Sequence, residues 1–192
     1  MGQYYTAYLK DNNGKETVIN SWAYRNAAKL TEHSWIGNTF VDVVCNLITD
    51  TPYEIAWIGD YADSVLKNFT DKKDIKELER IFELNRELAN NKDKPILIKN
   101  IRKKMRRGYL INVTQGIYID LKKYCKENKD EFNSIMNPLP LLTAVGNGQG
   151  GGDYEGINED YIGSWAFDEI MYSETKPEDY EYAEVEYHFA EY

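Results

Sequence analysis

Residues 3–20 read QYYTAYLKDNNGKETVIN. Two β-rich runs, QYYTAYL at 3–9 and ETVIN at 16–20, flank Asp11-Asn12-Asn13-Gly14. Asn and Gly accept the positive φ of a tight turn, so this stretch predicts a β-hairpin. A second hairpin is predicted where Tyr109–Val113 and Ile117–Leu121 alternate at period two around Thr114-Gln115-Gly116. Between them, Thr39–Leu47 spaces Phe40, Val43, Val44 and Leu47 as a short buried helix, Pro52 ends that pattern, and Tyr53–Ile58 reads as a strand. Lys72–Ala89 carries an apolar stripe of Ile75, Leu78, Ile81, Phe82 and Leu88 with charge on its other face, the pattern of a long amphipathic helix capped by Asp71. Lys122–Phe132 is expected to be helical, and Gly163–Tyr172 and Ala183–Ala190 to be strands. Strands and helices without a βαβ rhythm predict one α+β domain over residues 1–192, built on a mainly antiparallel sheet. A helical and basic insertion at 67–107 and an acidic, Tyr-rich C-terminal strand at 174–192 are its expected outliers.

Composition narrows the function classes. Of 192 residues 42% are hydrophobic and 29% charged, which suits a folded globular chain rather than a disordered one. Aromatic content is 14%, with 16 Tyr, a residue favoured in half-buried sheets and contact surfaces. Cys45 and Cys125 sit in apolar-periodic stretches and read as buried hydrophobes, and the absence of CxxC argues against zinc-ribbon and thioredoxin chemistry. The opening MGQYYTAYLK lacks a basic start with an apolar core, and no apolar run reaches membrane-spanning length, so a cytoplasmic protein is expected. The net charge of −9 is uneven: residues 151–192 hold 13 acids against one Lys, whereas Lys92–Arg107 holds eight basic residues and one acid. Such asymmetry points to charged partners.

Four segments invite a chemical reading. Gly146, Gly148 and Gly151 formally satisfy GxGxxG, but Asp153-Tyr154-Glu155-Gly156 follows where a dinucleotide fingerprint needs a helix N-terminus, and no GK[ST] ending is present. The loop reads as a tight turn or, alternatively, as a cradle for a nucleotide-like ligand at Gly148, Gly150, Gly151 and Asp153, beside Trp35, Trp57 and Trp165. Trp57-Ile58-Gly59-Asp60-Tyr61-Ala62-Asp63 presents two carboxylates after a strand; with His33, and with Asp153 and Asp168, these are candidate oxygen-rich metal ligands, or Asp60 is a turn residue. No GxSxG accompanies His33, and neither His33 nor His188 shares a local signature with Cys125, so no catalytic residue is assigned. The strip Lys99, Arg102, Lys103, Lys104, Arg106 and Arg107 suits phosphate or the chain's own acidic end, although overall acidity argues against direct nucleic-acid binding. At the C-terminus, Val185, Tyr187 and Phe189 alternate with Glu184, Glu186 and His188. That is an edge strand kept soluble by charge, or a partner-binding face of Tyr182, Glu184, Glu186 and Tyr187 that imitates nucleic-acid charge.

The blocks GQYY (2–5), AKLTEHSWIGN (28–38), WIGDYAD (57–63), LINVTQGIYIDL (110–121), NPLPLLTAVGNGQGGGDYEG (137–156) and GSWAFDEI (163–170) together resemble an uncharacterised family of small proteins of phages, prophages and other mobile elements of low-GC bacteria. The resemblance spans the chain outside 67–107 and the acidic tail, and it implies an origin rather than a mechanism. The leading expectation is a non-enzymatic protein that binds a host protein, such as an antiviral or restriction component, with the acidic end separable from the fold. A small-ligand protein and a metal-dependent hydrolase are the alternatives; the identity of any cofactor is left open.

Overall fold

The computed structural model describes residues 2–62, 72–90, 105–129, 134–154, 159–178 and 181–189. Asp63, Asp71 and the strip residues Lys99, Arg102, Lys103 and Lys104 lie outside them.

The first hairpin forms from β1 (Tyr5–Lys10) and β2 (Glu16–Asn20). Asp11 closes its turn by accepting from the amides of Asn13 and Lys15, with Gly14 at φ 78°. A 3-10 turn (Ser21–Tyr24) and helix α1 (Leu30–His33) follow, then α2 (Thr39–Leu47). Asn38 starts α2 by accepting from the Phe40 amide at 2.9 Å. Next come β3 (Tyr53–Gly59), α3 (Lys72–Asn90), the second hairpin β4 (Tyr109–Asn112) and β5 (Ile117–Asp120), and α4 (Leu121–Glu127). The chain ends through α5 (Pro138–Leu142), β6 (Ala144–Val145), a 3-10 turn (Glu159–Tyr161), β7 (Glu169–Ser173) and β8 (Ala183–Glu184).

One sheet joins these strands in the order β2-β1-β3-β7-β4-β5-β8, with β6 paired to β3 off that path. Five pairings are antiparallel and two, β3 with β6 and β5 with β8, are parallel. The protein is therefore an α+β fold on a largely antiparallel sheet. Strand alternation divides its apolar side chains between two faces. Tyr5, Ala7, Leu9, Ile55, Trp57, Leu110, Ile119 and Ile170 point into the larger core, which α2, α4 and α5 cover with Phe40, Val44, Tyr124 and Leu139. On the opposite face Tyr8, Ala56 and Ile58 meet Leu78, Ile81 and Phe82 of α3. Arg80 ties that helix to the hairpin through Glu16, whose carboxylate also accepts from Tyr8.

Several boundaries differ from the sequence reading. The predicted strand over Gly163–Tyr172 begins only at Glu169, because the amides of Gly163 and Trp165 bond the carbonyls of Leu141 and Leu142 instead. Phe167 then turns the chain at φ 64°. The C-terminal strand shortens to Ala183–Glu184, yet its alternation continues: Tyr187 and Phe189 are buried, while Glu184, Glu186 and His188 are exposed. The helix expected over Lys122–Phe132 starts at Leu121, where Asp120 caps it by accepting from Lys122 at 2.8 Å, and stops at Glu127.

Candidate functional site

The pairing directions bring distant blocks to one end of the sheet. β1 runs antiparallel to β2 and β3, and β6 runs parallel to β3, with Tyr5 opposite Gly59 and Ile58 opposite Val145. Consequently residues 2–5, the turn at Ser21-Trp22, residues 59–62 and the glycine loop 146–154 all gather at this pole. Asp60 joins two of them: its amide bonds the Tyr4 carbonyl at 3.0 Å and its carboxylate accepts from the Tyr4 amide at 3.1 Å. That is the turn role expected of Asp60.

The glycine loop is fastened through Asp153. Its carboxylate accepts from Gln3 Nε2 at 2.7 Å, from the Tyr5 hydroxyl at 2.8 Å and from the Tyr154 amide at 3.0 Å. Gln3 also donates to Asn147 Oδ1 at 2.6 Å, and Thr31 donates its amide to the Gly152 carbonyl at 3.0 Å. Gln3, Tyr5 and Asp153 are buried. Burial raises the Asp153 pKa, and the bonds from Tyr5 and Gln3 work against that rise. The Tyr5 phenol is pushed up by burial first and by the Asp153 charge second. A phenol that holds its proton and a buried carboxylate that accepts from three donors make a clasp.

The glycines follow from that clasp. A Cβ on Gly146 would meet the Tyr5 hydroxyl at 2.5 Å, one on Gly148 the Tyr154 ring at 2.5 Å, and one on Gly152 the Glu32 carboxylate at 2.5 Å. Gly148, Gly150 and Gly152 also take φ of 70°, 102° and 82°. A Cβ on Gly151, by contrast, would face open space. At Gly146, Gly148 and Gly152 the space a side chain would take is occupied by the protein's own side chains.

Around this clasp three large aromatics face solvent: Tyr4 is 41% exposed, Trp22 60% and Tyr61 45%. They are the exposed large hydrophobics among the described residues, and the Tyr4 and Trp22 rings lie 5.9 Å apart. Contact surfaces concentrate Trp and Tyr in this way.

The other predicted residues are placed elsewhere. Trp57 and Trp165 are buried in the larger core, where the Trp165 indole donates to the Tyr187 hydroxyl at 3.0 Å. Trp35 is half-buried and donates to the Glu32 carbonyl. His33 is half-buried with Nδ1 unpartnered, and neither it nor Asp60 falls in a group of three close donors among the described residues. Asp168 accepts from Asn112 and Gln115. Glu184 is ion-paired with Lys123, Glu186 is exposed, and Tyr182 is half-buried. Cys45 and Cys125 are free and buried, their thiols pushed up by burial to about 12 and about 11, which leaves neither as a nucleophile at neutral pH. Sequence reasoning missed Gln3 and Tyr5 as partners of Asp153, Asn147 as a partner of Gln3, and Tyr4, Trp22 and Tyr61 as a surface; the signal for Gln3, Tyr4, Tyr5 and Tyr61 was polar and aromatic crowding in GQYY and WIGDYAD. No family model, curated protein or solved structure matches the chain. No described helix is long and apolar enough to cross a membrane.

Proposed function

We propose that this chain is a non-enzymatic binding protein of phage or mobile-element origin, which acts in the host cytoplasm on a host protein, with antiviral and restriction components as the target class. The observation that carries the reading is the aromatic pole of Tyr4, Trp22 and Tyr61, held in place by the Asp60 turn and the Asp153 clasp. Aromatic anchors on a rigid support lose little conformational entropy on binding, so they are efficient contact residues. The acidic C-terminal edge supports the reading less, because Glu184 is already answered by Lys123 and Tyr187 is buried. A nucleotide at the glycine loop is the second reading, with less support, because the glycines at 146, 148 and 152 are explained by close packing of the protein's own side chains.

The test is quantitative binding to a purified partner, first found by capture from a low-GC bacterial lysate. Trp22→Ala and Tyr61→Ala should each weaken binding by roughly tenfold or more. Their melting temperatures should stay at the wild-type value, since both side chains are exposed. Equal affinity in the double variant would overturn the assignment of the pole.

A further inference from the structure

A different group of side chains meets at the far edge of the sheet. Glu127 is the last residue of α4, and Glu186 and His188 stand two apart on the outward side of the C-terminal segment. One ligand atom from each lies within 4.8 Å of the other two. We propose that Glu127, Glu186 and His188 bind a single divalent transition-metal ion, with zinc the ion that suits them best.

Three physical features support the site. The donor set is mixed: two carboxylates and one imidazole match the ligand types of zinc and leave a fourth tetrahedral position for water, whereas magnesium and calcium prefer oxygen alone. Its charge is only partly answered: among the described residues no close ion pair involves Glu127 or Glu186, and the nearby Lys123 ammonium pairs with Glu184 and feels the Glu186 charge at longer range. Two like charges at this spacing repel, and a dication reverses the sign of that interaction. Finally, the donors are borne on a pinned backbone. The Val185 amide bonds the Tyr118 carbonyl at 2.8 Å, Tyr187 accepts from Trp165, and the Phe189 amide bonds Asn128 Oδ1 at 3.4 Å. Residues 185, 187 and 189 are thus anchored on either side of both outward donors, and Asn128 adjoins the third. A hollow lined by Asp120, Glu127, Glu184 and Glu186, with Lys123 as its one cation, adjoins the group, and its net charge favours the approach of a hydrated cation. The ion would staple α4 to the C-terminal segment.

The experiment is calorimetric titration of the chelator-treated full chain with zinc chloride near neutral pH, together with the absorption spectrum of the cobalt-substituted protein. One zinc per chain, a rise in melting temperature, and cobalt bands of low coordination number are expected. His188→Ala and Glu127→Gln should each weaken zinc binding by roughly tenfold or more, the scale on which even indirect ligand supports act. Glu181→Gln, an exposed acid outside the group, and His33→Ala should leave it unchanged. Both site variants alter exposed side chains, and circular dichroism checks that they fold. Affinity unaffected by His188→Ala, competition by magnesium at equal concentration, or no saturable binding would each overturn the proposal.

Discussion

Replacing Tyr5 by Phe removes one hydroxyl and almost no packing volume, which makes it a clean probe of the clasp. The lost bond, 2.8 Å from hydroxyl to Asp153, ends on an ionised acceptor in a buried setting. Bonds of that type contribute about 1.5–3 kcal/mol. Asp153 keeps Gln3 on one oxygen and the Tyr154 amide on the other, so a loss of about 2 kcal/mol is expected at neutral pH. For a chain of this size that lowers Tm by about 4–8 °C. The pH dependence carries the sharper test. Because burial raises the folded pKa of Asp153 above its ordinary 3.8, the residue's own contribution to stability is fullest below 3.8 and is lost as pH rises through the folded value. The Tyr5 bond acts in the opposite sense: it favours the ionised carboxylate, so it stabilises most above the folded pKa and least once Asp153 is protonated. The cost of Tyr5→Phe should therefore shrink on acidification through that window. Urea unfolding followed by the fluorescence of buried Trp57 and Trp165 measures both quantities. A cost under about 0.5 kcal/mol at neutral pH, or one that stays constant across the window, would refute the clasp.

Two further predictions concern packing. Gly148→Ala should destabilise by about 1–2 kcal/mol, since a Cβ there meets the Tyr154 ring at φ 70°, whereas Gly151→Ala, facing open space, should be near neutral; thermal melts of the pair distinguish a structural loop from a ligand cradle. Tyr187→Ala should cost about 3–5 kcal/mol, because it empties a core position and leaves the Trp165 indole without its acceptor, while Glu186→Gln, measured with chelator present, should leave urea stability unchanged.

That last contrast corrects the expectation that the acidic end is separable from the fold. Tyr161, Trp165, Tyr187, Phe189 and Tyr124 form a run of ring contacts with centroids 4.8–6.2 Å apart, so the C-terminal segment is bound into the core. Its inward and outward alternation was legible in the sequence, but which side met the core was decided by the rings of Tyr161 and Trp165, far away in the chain. The same division recurs elsewhere. Both hairpins and α2 were readable because the turn residues Asp11–Gly14 and Thr114–Gly116 and a period of two or 3.6 are local signals. Helix α5 was not, since Pro138 and Pro140 look like breakers until Asn137 is seen capping the Leu139 amide with Pro138 in the first turn, where its missing N–H costs nothing. For the site, the glycine loop stood out by composition, yet its partners Gln3 and Tyr5 lie about 150 residues upstream, beyond any pattern a single sequence displays.

The position of β7 has a consequence for synthesis on the ribosome. It lies between β3 and β4, so the first hairpin with β3 and the second hairpin are two half-sheets that stay separate until residues 169–173 have been translated. Until then β4 offers an unpaired border, as does β3 at Tyr53–Glu54, where β6 does not reach, and a nascent chain in that condition is prone to pair with its neighbours. Slow decoding at any point before β7 has emerged from the ribosome would prolong the exposure.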